Sequence, residues 1–141
     1  MKINITQILK YLFLGLVGGS IYYGIEVAYR GYSHWTMYCL GAICFICLGL
    51  INVVLSWETP LWLQGLIGGS IISVLELITG IVVNINLHWN VWNYTNPTNF
   101  MGQISLYSSI GWCFLSLVGI VLDDYLRYWI FHETKPKYKL L

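Results

Sequence analysis

Two glutamates end two copies of the same sequence motif in a largely apolar chain. Residues 15–26 read GLVGGSIYYGIE and residues 65–76 read GLIGGSIISVLE, and seven of the twelve positions are identical. A carboxylate in hydrocarbon costs roughly 2.5 kcal/mol or more, so an intramembrane acid points into protein or water. We therefore expect Glu26 and Glu76 to face the protein interior or an aqueous cavity, where they could bind a cation, a proton or an amine.

The two acids also have structural interpretations, and these differ. Glu26 lies one helical turn before Arg30, a spacing that favours a plain ion pair. Glu76 has no basic residue one turn away. Glu76 is therefore the stronger candidate for function.

Polar and aromatic side chains follow both glutamates in the segments predicted to face outward. RGYSHW (30–35) and HWNVWNYTNPTN (88–99) share a His-Trp pair and offer amides and stacking faces for a polar headgroup, a sugar or a small solute. Asn and Pro are also ordinary turn formers, which leaves a turn-only interpretation open. The candidate ligand- or ion-binding residues are Glu26, Arg30, His34, Glu76, Asn84, His88, Trp89, Trp92, Asn93, Tyr94 and Asn99.

Neither a metal site nor a cofactor is expected. Two histidines without a clustered third ligand do not make a zinc site. All four cysteines lie within apolar stretches, and Cys44 and Cys47 have no second CxxC to complete a metal or redox motif.

The elements that position these residues are membrane helices. The chain has 141 residues, of which 57% are hydrophobic and 9% charged. Apolar runs of about 20 residues are long enough to cross the bilayer, and we place them at about 8–29, 35–55, 61–87 and 101–122. The prediction is an all-α bundle of four transmembrane helices in a single domain.

Basic residues orient the helices, because cytoplasmic loops retain Lys and Arg. One basic residue, Arg30, lies away from the chain ends. Both termini should therefore be cytoplasmic. The basic residues near the ends are Lys2, Lys10, Arg127, Lys135, Lys137 and Lys139.

The duplicated motif predicts a parallel internal repeat. Two spans return the chain to its starting side, so two copies fifty residues apart have the same orientation, with repeat 1 at about 8–55 and repeat 2 at about 61–131. Gly15 and Gly19 share a helix face with Glu26, as Gly65 and Gly69 do with Glu76. Small residues at this spacing allow close helix packing in lipid.

The fourth helix is expected to continue past the membrane into DDYLRYW, where Asp123 and Asp124 can reach Arg127. The paired aspartates could instead bind Mg²⁺ in an enzyme acting on lipid phosphate, but such sites need more acids and a basic phosphate site. The tail 132–141 carries three lysines that can lie against anionic headgroups.

Four stretches together resemble the bacterial family of ABC-transporter type IV membrane proteins: HWTMYCLGAICFICLGLIN, ELITGIVVN, WNVWNY and LDDYLRYW. The resemblance runs from about residue 18 to 139. It implies a small multi-pass protein of the bacterial cytoplasmic membrane, a permease component. The chain departs from the family pattern at Val53 and Asn93, where the pattern has acids.

The resemblance also sets expectations for partners. The sequence has no G-x-x-x-x-G-K-[ST] motif, so any ATP dependence would come from a separate ATPase subunit. Four helices are few for a translocation path, and a homodimer would supply eight. The lipid bilayer is a partner, and nucleic acid is not.

We rank three hypotheses for the function of the chain. The first is a transporter or permease component with an outward-facing polar and aromatic site and intramembrane glutamates. The second is a membrane protein that binds a lipid or a partner without catalysis. The third is a membrane-embedded lipid-modifying enzyme, which the few candidate catalytic residues disfavour, so we predict that the chain is not an enzyme.

Overall fold

The computed structural model describes residues 4–140 and is helical apart from one short hairpin. The elements are α1 (Ile5–Arg30), α2 (Trp35–Val54), α3 (Leu61–Gly80) with a π-helical segment (Ile81–Asn86), β1 (Asn99–Phe100), β2 (Ile104–Ser105) and α4 (Leu106–Phe131). Lys2, used above for orientation, lies outside the described residues.

Within residues 4–140, four helices are long and apolar enough to cross a membrane. They span Ile5–Arg30, Trp35–Val54, Leu61–Asn86 and Leu106–Phe131, with lengths of 20 to 26 residues. The third span includes the π-helical segment, which carries the helix beyond Gly80. The predicted all-helical class with four spans is confirmed.

Helix ends are set by local side chains and turns. The Asn4 side chain accepts a hydrogen bond from the Gln7 amide and caps α1, and α1 ends at Gly31, whose φ of 82° is left-handed. Nδ1 of His34 accepts a bond from the Thr36 amide at the start of α2. Such caps satisfy amides that have no partner in the first helical turn.

The chain forms two compact units. One comprises the residues up to Trp57 together with Gly119–Lys137, and the other comprises Glu58–Val118 together with the segment from Tyr138. The helix α4 contributes its first half to the second unit and its second half to the first.

In the first unit, α1 packs closely on α2 through glycines. A Cβ at Gly18 would overlap the Phe45 ring, and one at Gly19 would lie 2.6 Å from the Tyr38 ring. Gly15 makes a looser contact, with Ile46 at 3.3 Å. The predicted packing role of Gly15 and Gly19 agrees with these contacts.

In the second unit, α3 packs on the first half of α4 in the same way. A Cβ at Gly65 would lie 2.6 Å from a Leu117 methyl, and one at Gly69 would lie 2.7 Å from the Cys113 Cα. Successive α3 positions meet successively earlier α4 positions, so the two helices run antiparallel. The glycines allow backbone-to-backbone approach of the kind seen in membrane helix pairs.

The fourth helix begins five residues later than the predicted start at 101. Met101 and Gly102 have positive φ values of 56° and 75° and form a turn between β1 and β2. The Ser105 hydroxyl then accepts a bond from the Ser108 amide and caps the helix. The helix continues through DDYLRYW to Phe131, as predicted.

Part of the basic tail is bonded to the linker before α3. The Leu61 amide donates to the Lys139 carbonyl at 2.6 Å, and Lys139 pairs with Glu58 at 3.5 Å. The tail therefore supplies an acceptor for the first turn of α3. Contact of Lys135 and Lys137 with lipid headgroups stays a prediction.

The glycine seam of the second unit can be tested by substitution. We expect Gly69→Ala to lower the free energy of unfolding by about 1–3 kcal/mol, because the new methyl group would meet the α4 backbone, which cannot rotate away. Gly111 on α4 has nothing within 4 Å of its Cβ position and provides the control. Gly111→Ala should leave stability unchanged or raise it by up to about 1 kcal/mol.

The measurement is reversible unfolding of the detergent-solubilised protein, followed by circular dichroism. Equal stability of the two variants would show that α3 and α4 do not approach closely at Gly69.

Candidate functional site

Glu76 is buried and bonded through both carboxylate oxygens. Its relative exposure is 3%. The Tyr94 hydroxyl donates to Oε1 at 2.5 Å, and the Trp112 indole Nε1 donates to Oε2 at 2.5 Å. The expectation that Glu76 faces protein is confirmed.

The glycine seam brings Trp112 to Glu76. Gly69, Ser73 and Glu76 lie on one face of α3 at spacings of four and three residues. Gly69 meets Cys113 of α4, and the Ser73 hydroxyl donates to the Ser109 hydroxyl at 2.8 Å. The close backbone approach at Gly69 allows the neighbouring indole to reach the carboxylate.

A folded loop brings Tyr94 to the same carboxylate. After the π-helical segment, the Asn84 side chain accepts a bond from the Val91 amide at 2.7 Å and donates to Gln103 Oε1 at 2.7 Å. The buried Trp92 donates its indole N–H to the Gln103 carbonyl at 3.0 Å, and the Tyr94 amide donates to the Gly102 carbonyl at 2.8 Å. The segment that carries Tyr94 is thus bonded both to the end of the third helical span at Asn84 and to the turn before α4 at Gly102 and Gln103.

Of the predicted site residues, Tyr94 therefore bonds to Glu76. Asn84 and Trp92 hold the loop that carries Tyr94. Asn99 has a turn role instead, because its side chain donates to the Asn96 carbonyl at 2.6 Å and accepts from the Gly102 amide at 3.0 Å.

The remaining outer residues lie at the surface of the loop. His88, Trp89 and Asn93 are exposed, and His88 has a left-handed φ of 57°. The Asn93 side chain packs against the position where Gly102 would carry a Cβ. A side chain at Gly102 would therefore be excluded both by this contact and by its positive φ.

Glu26 has a different environment from Glu76. It accepts a bond from the Tyr22 hydroxyl at 2.9 Å and pairs with Arg30 Nε at 2.8 Å. All three side chains belong to α1, so the first unit neutralises its acid locally. His34, the last residue of this predicted group, caps α2 as described above. A pairing of Glu26 with Glu76 stays a prediction.

Sequence reasoning did not assign two residues of the site, Gln103 and Trp112. Trp112 lies 36 positions after Glu76, and nothing in the local pattern indicates which way its indole points. The sequence did contain a signal that Gln103 has a structural role, because Gln103 is a polar residue inside the predicted span 101–122. An amide in hydrocarbon needs internal partners, and Gln103 finds them in Asn84 and the Met101 carbonyl.

The surroundings of Glu76 are suited to the binding and release of a positively charged species. A buried carboxylate that accepts bonds from an indole and a phenol can also bind a proton or a small cation. Within residues 4–140, no three His, Cys, Asp or Glu side chains are grouped to hold a metal ion.

The anchoring of the loop can be tested at Asn84. Asn84→Ala removes the acceptor of the Val91 amide and the donor to Gln103, so we expect local opening to become easier by about 1–3 kcal/mol. Amide hydrogen exchange at Val91 and Trp92, followed by mass spectrometry, should accelerate. Asn86→Ala is the matched control, since Asn86 is an exposed asparagine of the same segment. Unchanged exchange in Asn84→Ala would contradict this account of the loop.

Comparison with known proteins places this architecture in a family. No curated protein and no solved structure matches the chain. Residues 8–139 match the model of a family described as Putative ABC-transporter type IV. Because the match covers nearly the whole chain and the structure has four helices suited to a membrane, the chain belongs to the ABC-transporter type IV family of membrane proteins.

Proposed function

We propose that this chain is a permease component of a bacterial transport system and that Glu76 is its proton- or cation-binding acid. The observation that carries the proposal is the buried carboxylate, which is held by an indole from α4 and a phenol from the outer loop. Ionisable residues inside membrane proteins usually mark a pathway for a substrate or an ion.

The position of Glu76 supports a site that is loaded from the outer side. The positive-inside rule gives cytoplasmic termini, which puts the end of α3 and the loop 88–105 at the outer face. Tyr94 connects that loop directly to the acid. A solute that displaces the loop would therefore also change the hydrogen bonding of Glu76.

The energy source in this proposal is a separate ATPase subunit. The family description supports an ATP-driven system, and the printed sequence contains no phosphate-binding loop motif. The location is the inner membrane of a bacterium, with both chain ends on the side where such a subunit would bind.

The chain also has features of a parallel two-plus-two repeat. In α1 the buried residues are Leu14, Gly15, Gly18 and Gly19, and in α3 they include Gln64, Gly65, Gly68 and Gly69, fifty positions later. Each glycine face packs on the following helix of its own pair. These parallels support an origin by duplication.

A homodimer would complete the translocation path. The duplicated glycine faces are occupied within each chain, so a second copy would use a face that the repeat leaves free. Exposed Ser20, Gly24 and Ala28 on α1 form a small-residue stripe suited to helix contact in lipid. The corresponding positions after Ser70 on α3 carry the larger Val74 and Ile78.

A second candidate function is the recognition of a lipid headgroup or a protein partner without transport. Trp89, Phe100 and Met101 are large apolar side chains exposed at the rim of the outer loop. Aromatic side chains at this level settle in the interface between headgroups and hydrocarbon. We propose no enzymatic role.

The substitution Glu76→Gln tests the primary proposal. We expect a carboxyl infrared band that responds to pH or to added cation in the wild-type protein, and we expect its loss in the variant while the helical circular dichroism is retained. Glu58→Gln is the control, because the Glu58 side chain is 85% exposed and contacts the tail lysine Lys139. Infrared difference spectroscopy of the protein in lipid, between two pH values and between two salts, makes the measurement.

The control variant should keep the band that Glu76→Gln loses. If no carboxyl band responds to pH or cation, or if the band survives in Glu76→Gln, Glu76 is a structural residue and the binding-only function is preferred.

A further inference from the structure

A second polar cluster is buried in the first unit, where α2 meets the second half of α4. Asp123 is 0% exposed and Arg127 is 3% exposed. Arg127 Nε donates to Asp123 Oδ1 at 2.6 Å, which is the ion pair that the sequence spacing predicts. Its Nη1 lies 3.5 Å from Glu133 Oε1, and Glu133 also pairs with Lys10 at 2.9 Å. This cluster shares no residue with the Glu76 site.

The α2 side of the cluster is shaped to receive Asp123. The Asp123 carboxylate occupies the space where Gly49 would carry a Cβ, so it lies directly against the α2 backbone. Asn52 is three residues further along α2 and therefore on the same face. Its Nδ2 donates to Asp124 Oδ2 at 2.6 Å, which fixes the amide so that Oδ1 is its remaining polar atom.

Two buried oxygens of the cluster accept no hydrogen bond within residues 4–140. They are Asp123 Oδ2 and Asn52 Oδ1, and Arg127 Nη2 likewise has no acceptor there. A buried polar atom without a partner costs about 1–3 kcal/mol, and more for a charged group. Asp123 Oδ2 and Asn52 Oδ1 can therefore accept a further hydrogen bond or coordinate a cation.

The charge of the cluster favours a positive ligand. The side chains joined by these contacts comprise three carboxylates (Asp123, Asp124 and Glu133) and two basic groups (Lys10 and Arg127). Arg127 is shared between two carboxylates, so Asp123 receives only part of its charge. A cation at Asp123 Oδ2 would add to the positive charge that Asp123 shares with Glu133.

We propose that Asp123 Oδ2 and Asn52 Oδ1 are ligands of a bound monovalent alkali cation, Na⁺ being the ion of choice. Carboxylate and amide oxygens are the ligands that hard cations prefer, and Ca²⁺ or Mg²⁺ would need more of them. Within residues 4–140, no three His, Cys, Asp or Glu side chains are grouped so that they could hold a metal ion. A water molecule bound to the cation can accept the remaining Arg127 hydrogen bond.

The test uses the full-length protein in detergent. Binding of radiolabelled Na⁺ should saturate, and Na⁺ should raise the unfolding temperature relative to N-methyl-D-glucamine at equal ionic strength. Asn52→Ala should weaken Na⁺ binding by about tenfold or more, a loss typical when a group that supports a metal is removed. Asn86→Ala, outside the cluster, should bind as the wild type does.

If the Asn52 variant fails to fold, saturable Na⁺ binding that remains in Glu76→Gln still supports the proposal, because Glu76 is the other acid to which a cation could bind. Identical melting in Na⁺ and N-methyl-D-glucamine with no saturable binding would overturn it, and water would then fill the cluster. Unchanged affinity in both Asn52→Ala and Asp123→Asn would overturn it as well. Loss of all Na⁺ binding in Glu76→Gln, with unchanged binding in the two cluster variants, would place the ion at Glu76 and overturn the proposal for this cluster.

Discussion

The constraint on which this structure depends is that polar atoms inside the hydrocarbon must find their partners within the protein. Glu76 is the clearest case, since its two oxygens take donors from two different elements. Those donors can reach it because Gly65 and Gly69 let α4 approach the α3 backbone, and because the loop after α3 folds back over the helix end. Helix packing and the burial of the acid therefore depend on the same surface, because the glycine face that permits close approach is also the face that carries Glu76.

The two copies of the repeated motif meet this constraint in different ways. Glu26 is neutralised by Arg30 and Tyr22 of its own helix, an arrangement that needs only a short connection to the next helix. Glu76 accepts bonds from Tyr94 and Trp112, and the longer segment between α3 and α4 supplies Tyr94. The bonds of Glu76 reach α4 and the outer loop, whereas Glu26 is bonded to side chains of its own helix. That difference is why the proposed function depends on Glu76 and not on Glu26.

Local patterns predicted the parts of the structure that depend on local physics. Apolar run length predicted four spans, helical spacing predicted the Arg30 and Arg127 ion pairs, and the glycine spacing predicted close packing faces. The loop 88–105 was not predictable in this way, because Asn84 meets Gln103 nineteen positions later and Glu76 meets Trp112 thirty-six positions later. The start of α4 was misplaced for a related reason: Phe100 and Met101 continue the apolar pattern while the backbone turns at Met101 and Gly102.

The proposed function makes the chain the membrane subunit of an ATP-driven transport system. Native mass spectrometry of the protein, extracted gently from the membrane in which it is made, tests this most directly by recording its subunits, copy number and retained lipids. If the chain is such a subunit, an ATPase subunit should co-purify with it and dissociate only under harsher activation. A homodimer that retains one lipid species and no ATPase would contradict it and would identify a lipid-binding protein instead.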